Sequence, residues 1–181
     1  LKGTIMEPFE FSAKVEPQDL RYFNLYSFYH RPMGFFMTLI GLIMFVSTQW
    51  MFLGGGLVMQ DEIIMTLVSL VVLLYMPLSL TLRAKGSYAR NPIFSEPLHY
   101  TFEEEGMRLS TDVDLGEGVS RESRLRWENV YKVVRTRHEL LIFSNQINAF
   151  VIPLREIVSQ YSAIRDILID RVEDHKLEKI K

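Results

Sequence analysis

The sequence predicts an α+β membrane protein: a two-helix transmembrane hairpin with a small cytoplasmic β-barrel or sandwich closed by a C-terminal amphipathic helix. Three observations predict it. Two long stretches, Met33–Leu53 and Ile63–Leu82, carry no charged side chain. The Lys and Arg residues around them lie at the outer ends of the pair, none in the connection. From Glu96 onward, apolar residues alternate in short runs between turn residues, then recur at helical spacing.

Each stretch, of about 20 residues, is long enough to span a hydrocarbon core of about 30 Å as a helix. A core helix of a soluble protein rarely stays apolar on every face for that length. The Leu, Ile and Val residues of the second stretch favour insertion by roughly 4–7 kcal/mol before polar corrections. Arg21, His30 and Arg31 precede the first stretch, and Arg83, Lys85 and Arg90 follow the second. The connection Gly54–Glu62 holds Asp61 and Glu62 but no cation. Lys and Arg stay on the cytoplasmic side, so both termini are expected there, with the acidic loop outside. Trp50, Phe52 and Tyr75 are candidates for the aromatic belts.

The polar residues within the spans are Thr38, Ser47, Thr48, Gln49, Thr66, Ser69, Ser79 and Thr81, none ionisable. Proton relays and ion-coupled carriers place acids, His or Arg inside the membrane, so this pattern argues against a pump. Gly34 and Gly41 can let helices approach closely. Pro77 is expected to kink the second span near its cytoplasmic end. The pair reads either as an anchor or as a helix pair that binds a partner or associates into a homo-oligomer.

Ahead of the hairpin, residues 1–32 divide into a strand and a juxtamembrane helix. Phe9, Phe11, Ala13 and Val15 alternate with polar residues, a period of two. Pro17 suits the first position of a helix, and Tyr22, Tyr26 and Tyr29 recur at helical spacing through Asp19–Arg31. This aromatic face is suited to the membrane interface or to the soluble domain.

Residues 96–181 form the soluble domain. Leu98, Tyr100 and Phe102 alternate, Glu103–Gly106 turns, and Met107, Leu109 and Thr111 alternate again, as in a hairpin. Leu125 and Trp127 share one strand face. Further strands are expected at Val130–Thr136, Leu140–Phe143 and Ala149–Ile152. Ile157, Tyr161, Ile164, Leu168 and Val172 then mark one face of a closing helix whose later part, through Lys176, is charged. This is the outline of a pleckstrin-homology-like domain.

Chemical motifs are sparse. Without cysteine, disulfides, thiolate zinc sites, iron–sulfur clusters and a cysteine nucleophile are excluded. A net charge of −2 gives no global basic field for nucleic acid. Asp112–Glu117 lacks the glycine and glutamate spacing of a calcium loop, and Gly116-Glu117-Gly118 lacks the third glycine of a dinucleotide fingerprint. His30, His99, His138 and His175 do not pair into a metal motif. No catalytic, cofactor or metal site is expected. Arg121, Arg124, Arg126, Arg135 and Arg137 are the main polar concentration. They read either as a patch for lipid phosphate or an acidic partner, or as a surface balanced by Glu117, Glu122, Glu128 and Glu139. The candidate contacts to anionic lipid or a partner are Arg31, Arg83, Lys85, Arg90, Arg124 and Arg126. Nothing at the start resembles a signal peptide. The chain begins at Leu1 rather than Met, so residues before it are allowed for.

The helix Asp19–Arg31, the two-span hairpin, Tyr100–Gly106, Leu125–Val134 and Phe150-Val151-Ile152-Pro153 together give an order of elements that resembles the bacterial YcxB-like membrane proteins. The resemblance runs over nearly the whole chain. It implies a multi-pass protein of a Gram-positive-type plasma membrane and no established enzymatic activity. The expected function is a non-enzymatic adaptor or regulator that presents its cytoplasmic domain to a protein partner. Alternatives are an immunity or inhibitor protein acting through the hairpin, and a small subunit of a membrane transporter or enzyme complex.

Overall fold

A computed structural model of the chain describes residues 8–114 and 120–180. The chain forms two compact units. One comprises the described residues up to Phe23 together with those from Gly86 onward; the other is Asn24–Lys85. The N-terminal strand thus belongs to the same unit as the C-terminal domain.

That first unit is α+β. Strand β1 (Phe9–Ala13) pairs antiparallel with β2 (Leu98–Phe102), β2 with β3 (Gly106–Ser110), and β3 with β4 (Glu122–Arg126). A second sheet runs in the order β7 (Ala149–Pro153), β6 (Glu139–Phe143), β5 (Lys132–Arg135), β8 (Leu177–Glu178), the last pair parallel. The alternation in Phe9–Ala13 buries Phe11 and Ala13 and leaves Glu10 and Ser12 outside, as a two-residue period requires. Phe11 stacks on Tyr100 at 5.1 Å, and Phe102 meets Trp127 edge-on at 5.3 Å. Both sheets contribute to one hydrophobic core with Ile157, Ile164, Leu168 and Val172. Burying each large side chain of that core is worth about 1.5–3 kcal/mol.

Three sequence expectations change in detail. Trp127 leaves strand β4 for a short 3₁₀ turn, Trp127–Asn129, yet stays buried and donates its indole N–H to the Glu103 carbonyl at 3.0 Å. The closing helix, α4 in chain order, spans only Tyr161–Arg171. Ile157 precedes it and Val172 caps it, both still in the core. The charged stretch after Val172 is a 3₁₀ turn leading into β8, not more helix.

Helix α1 (Pro17–Tyr29) runs across both units. Its first turns pack within the α+β unit: Tyr22 stacks on His138 at 4.4 Å, and Phe23 lies 6.1 Å from Phe143.

The second unit holds the rest of α1, α2 (Pro32–Leu53) and most of α3 (Met59–Arg90). Gly34 sits in the first turn of α2 where a Cβ would come within 2.0 Å of the Phe28 carbonyl oxygen, so the α1–α2 corner leaves no room for a side chain. The expected close approach at Gly34 is therefore to the preceding helix. Gly41 does pack against α3, at Leu73 and Val72. α2 ends in paired capping bonds, Gly56 N–H to Met51 C=O at 2.9 Å and Gly55 N–H to Phe52 C=O at 3.0 Å. Gly55 takes the left-handed conformation this cap demands, φ 71°. α3 exceeds the expected span at both ends. Asp61 and Glu62 favour its N-terminal turn, and it continues through Pro77 to Arg90. At 32 residues it is about 48 Å long.

Two helices are thus long and apolar enough to cross a membrane, with mean hydropathy 1.8 and 2.4. Only 11% and 6% of their most apolar windows are buried.

Candidate functional site

The six basic residues singled out from the sequence are distributed over the start of α2, helix α3 and strand β4. Arg31 is the residue before α2 and is exposed. Arg83, Lys85 and Arg90 are exposed on α3. Arg83 and Arg90 share one side of the helix, while the 100° step per residue carries Lys85 to the other. Arg124 and Arg126 project from the outer face of β4, with Leu125 turned to the core. Each has an acid at hand: Arg124 lies 3.5 Å from Glu122, and Arg126 lies 3.4 Å from Glu128. Arg121 pairs with Asp114 at 2.7 Å. Arg135 instead lies over the Tyr161 ring at 4.9 Å. The face carries balanced charge at Arg121, Arg124 and Arg126. Glu117, Gly116 and Gly118 lie outside the described residues.

Glu139 is not one of the surface acids. It opens β6, every residue of which is buried, and its own exposure is 0%. Neither carboxyl oxygen has a hydrogen-bond partner. Burial, reinforced by the Asp19 charge and opposed by Arg155, raises its pKa from 4.5 to about 9. It therefore carries its proton at neutral pH.

Asp19 stands beside it, also fully buried. It is the third residue of α1, and its Oδ2 accepts from the Glu16 backbone N–H at 2.7 Å, one half of a capping box. The guanidinium of Arg155, just after β7, holds it in a fork: Nη1 to Oδ1 at 2.6 Å and Nη2 to Oδ2 at 2.8 Å. Arg155 also donates to the Lys14 carbonyl at 3.3 Å and lies 3.3 Å from Glu16 and 3.4 Å from Glu156. The Asp19 hydrogen bond, above all, holds the Arg155 pKa above its ordinary value. The buried Tyr100 hydroxyl, donating to the Val151 carbonyl at 3.0 Å, is pushed up by burial and then by Asp19. The one local clue in the sequence was Glu139 next to the apolar run Leu140–Phe143.

On the outer face of the first sheet, Ser12 Oγ lies 2.7 Å from His99 Nδ1, and His99 Nε2 lies 2.8 Å from Asp112. Ser12 and His99 are direct cross-strand partners. The row borders a depression of about 380 Å³ that Arg108 and Glu10 also line. The His99 and Asp112 side chains are 41% and 74% exposed, so water screens their pairing, and the row ties β1 to β2.

A larger open cleft, about 750 Å³, runs beside β5. Tyr131, Lys132, the Ser144–Gln146 turn and Lys176 line it. Its cations meet local acids too, Lys132 with Glu178 at 3.4 Å and Lys176 with Glu173 at 2.9 Å. Lys176 holds the Glu173 carboxyl below its usual range.

Within the hairpin, Gln49 of α2 donates to Thr66 of α3 at 2.8 Å, and Thr66 to Glu62 at 3.2 Å. Ser69 and Thr48 are buried and return their hydroxyls to the carbonyls one turn back. Small and hydroxylated residues at the seam are the pattern of helices packed in lipid. Among the described residues, no three His, Asp or Glu side chains gather as a metal-binding set. Searches of family models, curated proteins and solved structures found no match to this chain.

Proposed function

We propose that the protein is a non-enzymatic adaptor or regulator held in the membrane by its helical hairpin, presenting a pleckstrin-homology-like domain to a protein partner on the cytoplasmic side. The observation that carries the reading is the contrast between the two units. The helices of one leave almost all of their most apolar windows uncovered, whereas the other buries a continuous core. Apolar surface of that extent needs lipid to cover it.

The strand order supports the pleckstrin-like reading. Four strands pair successively into one sheet, β5 to β7 pair successively into a second, and a helix follows. On this reading the β1–β2 loop holds the whole transmembrane hairpin. The β2–β3 hairpin is then the second of the domain. Lipid-binding pleckstrin domains place their basic residues in the first loop; this chain replaces that loop with a membrane anchor. The YcxB-like resemblance, a bacterial plasma-membrane location and cytoplasmic termini belong to the same proposal.

The test is affinity capture of the intact protein from native membranes, beside a variant whose hairpin is exchanged for an unrelated two-span anchor. A partner held by both supports the adaptor. A partner lost with the native hairpin supports a second reading, recognition within the membrane by an inhibitor protein or complex subunit. The exposed apolar faces of α2 and α3 favour that second reading.

A further inference from the structure

We propose that Asp19, Arg155 and Glu139 form a proton-locked latch, which fastens the chain segment leading into the hairpin to the soluble domain and opens when Glu139 loses its proton.

The inference stands on burial and on counting donors. Two carboxyl groups, Asp19 and Glu139, have no solvent exposure, and only Asp19 is paired with the Arg155 guanidinium. Both Arg155 Nη atoms are committed to Asp19, with Nη2 shared with the Lys14 carbonyl, while Nε faces Glu156. Of the five guanidinium N–H donors one on Nη1 remains, but it makes no bond to Glu139, whose oxygens have no partner of their own. With Glu139 protonated, the set is one buried anion and one partly exposed cation. With Glu139 ionised, it is two anions and one cation, and a buried charge without a counterion is strongly disfavoured. An ionised Glu139 must then compete for Arg155. If it wins, Asp19 loses its fork, and the α1 turn capped by Asp19 loses its tie to Arg155.

The other groups around Glu139 do not relieve that charge. Tyr100 on β2 spends its hydroxyl on the Val151 carbonyl. The Thr136 hydroxyl, beyond β5, is engaged with the Glu139 backbone. His138 stacks on Tyr22 of α1, Arg135 of β5 lies over Tyr161, and Glu16 adds another acid on the Asp19 side. Pro153, the β7 residue opposite Glu139, carries no charge. The latch is closed at neutral pH and opens on alkalinisation. It lies between residues 136 apart in the chain, on either side of the hairpin, so its state decides whether α1 enters the hairpin from a fixed or a free start.

The full chain in lipid nanodiscs tests this. It has no cysteine, so spin labels at Gln18→Cys and Val158→Cys, both exposed sites, report one distance. The expected distribution is narrow near pH 7 and broadens at least twofold near pH 10. Glu139→Gln keeps the neutral shape of the acid and is expected to stay narrow at both pH values. Asp19→Asn is expected to be broad at both. A wild-type distribution that ignores pH overturns the latch. So does a Glu139→Gln variant that broadens like wild type, since another group would then be titrating.

Discussion

Asp19 and Arg155 meet through two parallel hydrogen bonds of 2.6 and 2.8 Å across 136 residues of chain. One partner is fully buried and the other is 37% exposed. The pair joins the first turn of α1 to the second residue after β7, and the entire hairpin lies between them in sequence.

Removing the cation alone strands a buried carboxylate. Arg155→Ala should lower the stability of the α+β unit by about 1–3 kcal/mol, a range reduced by solvent screening because Arg155 is 37% exposed. Asp19→Asn with Arg155→Gln together should cost less than the two single changes added, because neither leaves a lone charge. Thermal unfolding of the purified full chain, followed by near-ultraviolet circular dichroism, measures both. An additive double mutant would mean that the two residues are not coupled.

The proton on Glu139 makes stability pH-dependent in a defined direction. The folded state holds this proton up to about pH 9, whereas the unfolded chain releases it near pH 4.5. Unfolding between those values therefore releases a proton. The contribution is complete below about pH 4.5 and is lost as pH rises through about 9. The slope from this group is up to about 1.4 kcal/mol per pH unit. Glu139→Gln should flatten it and raise the unfolding temperature most at mildly alkaline pH. Denaturant melts across that pH range would expose the error if wild type and variant ran parallel.

At Gly34 even one methyl group has no place, because its carbon would lie 2.0 Å from the Phe28 carbonyl oxygen. Gly34→Ala should displace the α1–α2 corner and reduce the folded protein recovered from membranes severalfold. Gly86→Ala is the control, since its nearest neighbour is an Arg90 side-chain nitrogen at 3.5 Å. Equal recovery of the two variants would contradict the crowding at the corner.

The Gln49–Thr66 bond staples α2 to α3. Interhelical hydrogen bonds in membranes average about 0.6 kcal/mol, so Gln49→Leu should loosen the hairpin modestly. Double-label distances between the loop ends of α2 and α3 should widen in the variant. Unchanged distances would assign the seam to the packing around Gly41 alone.

The proposed topology has a direct readout in a chain free of cysteine. Val58→Cys in the connection and Val158→Cys in the soluble domain are both exposed positions. An impermeant maleimide should label Val58→Cys in intact cells and Val158→Cys only after permeabilisation. The reverse pattern would invert the proposed orientation.

Much of the secondary structure was legible because it is local. Phe9, Phe11 and Ala13 show a strand's period, and Ile164 and Leu168 a helix's, from spacing alone. Boundaries were less legible. Trp127 keeps its burial while leaving the strand, and the run of charges after Arg171 continues no helix because Val172 takes an extended conformation. The candidate basic residues come from separate stretches of the sequence. In space Arg124 and Arg126 sit with their own acids, and Arg83, Lys85 and Arg90 lie on another element.

By itself, the sequence determined the two apolar helices, the run of short strands and the closing helix, because each depends on side-chain periodicity within a single element. Only the tertiary structure decided that β1 completes a sheet with β2 across the whole hairpin, and that β8 borders β5. It also decided that Glu139 is fully buried with neither carboxyl oxygen partnered, where the charges of Asp19 and Arg155 act on it. Such features depend on which distant segments meet and how much water they exclude, and no spacing along the chain encodes that.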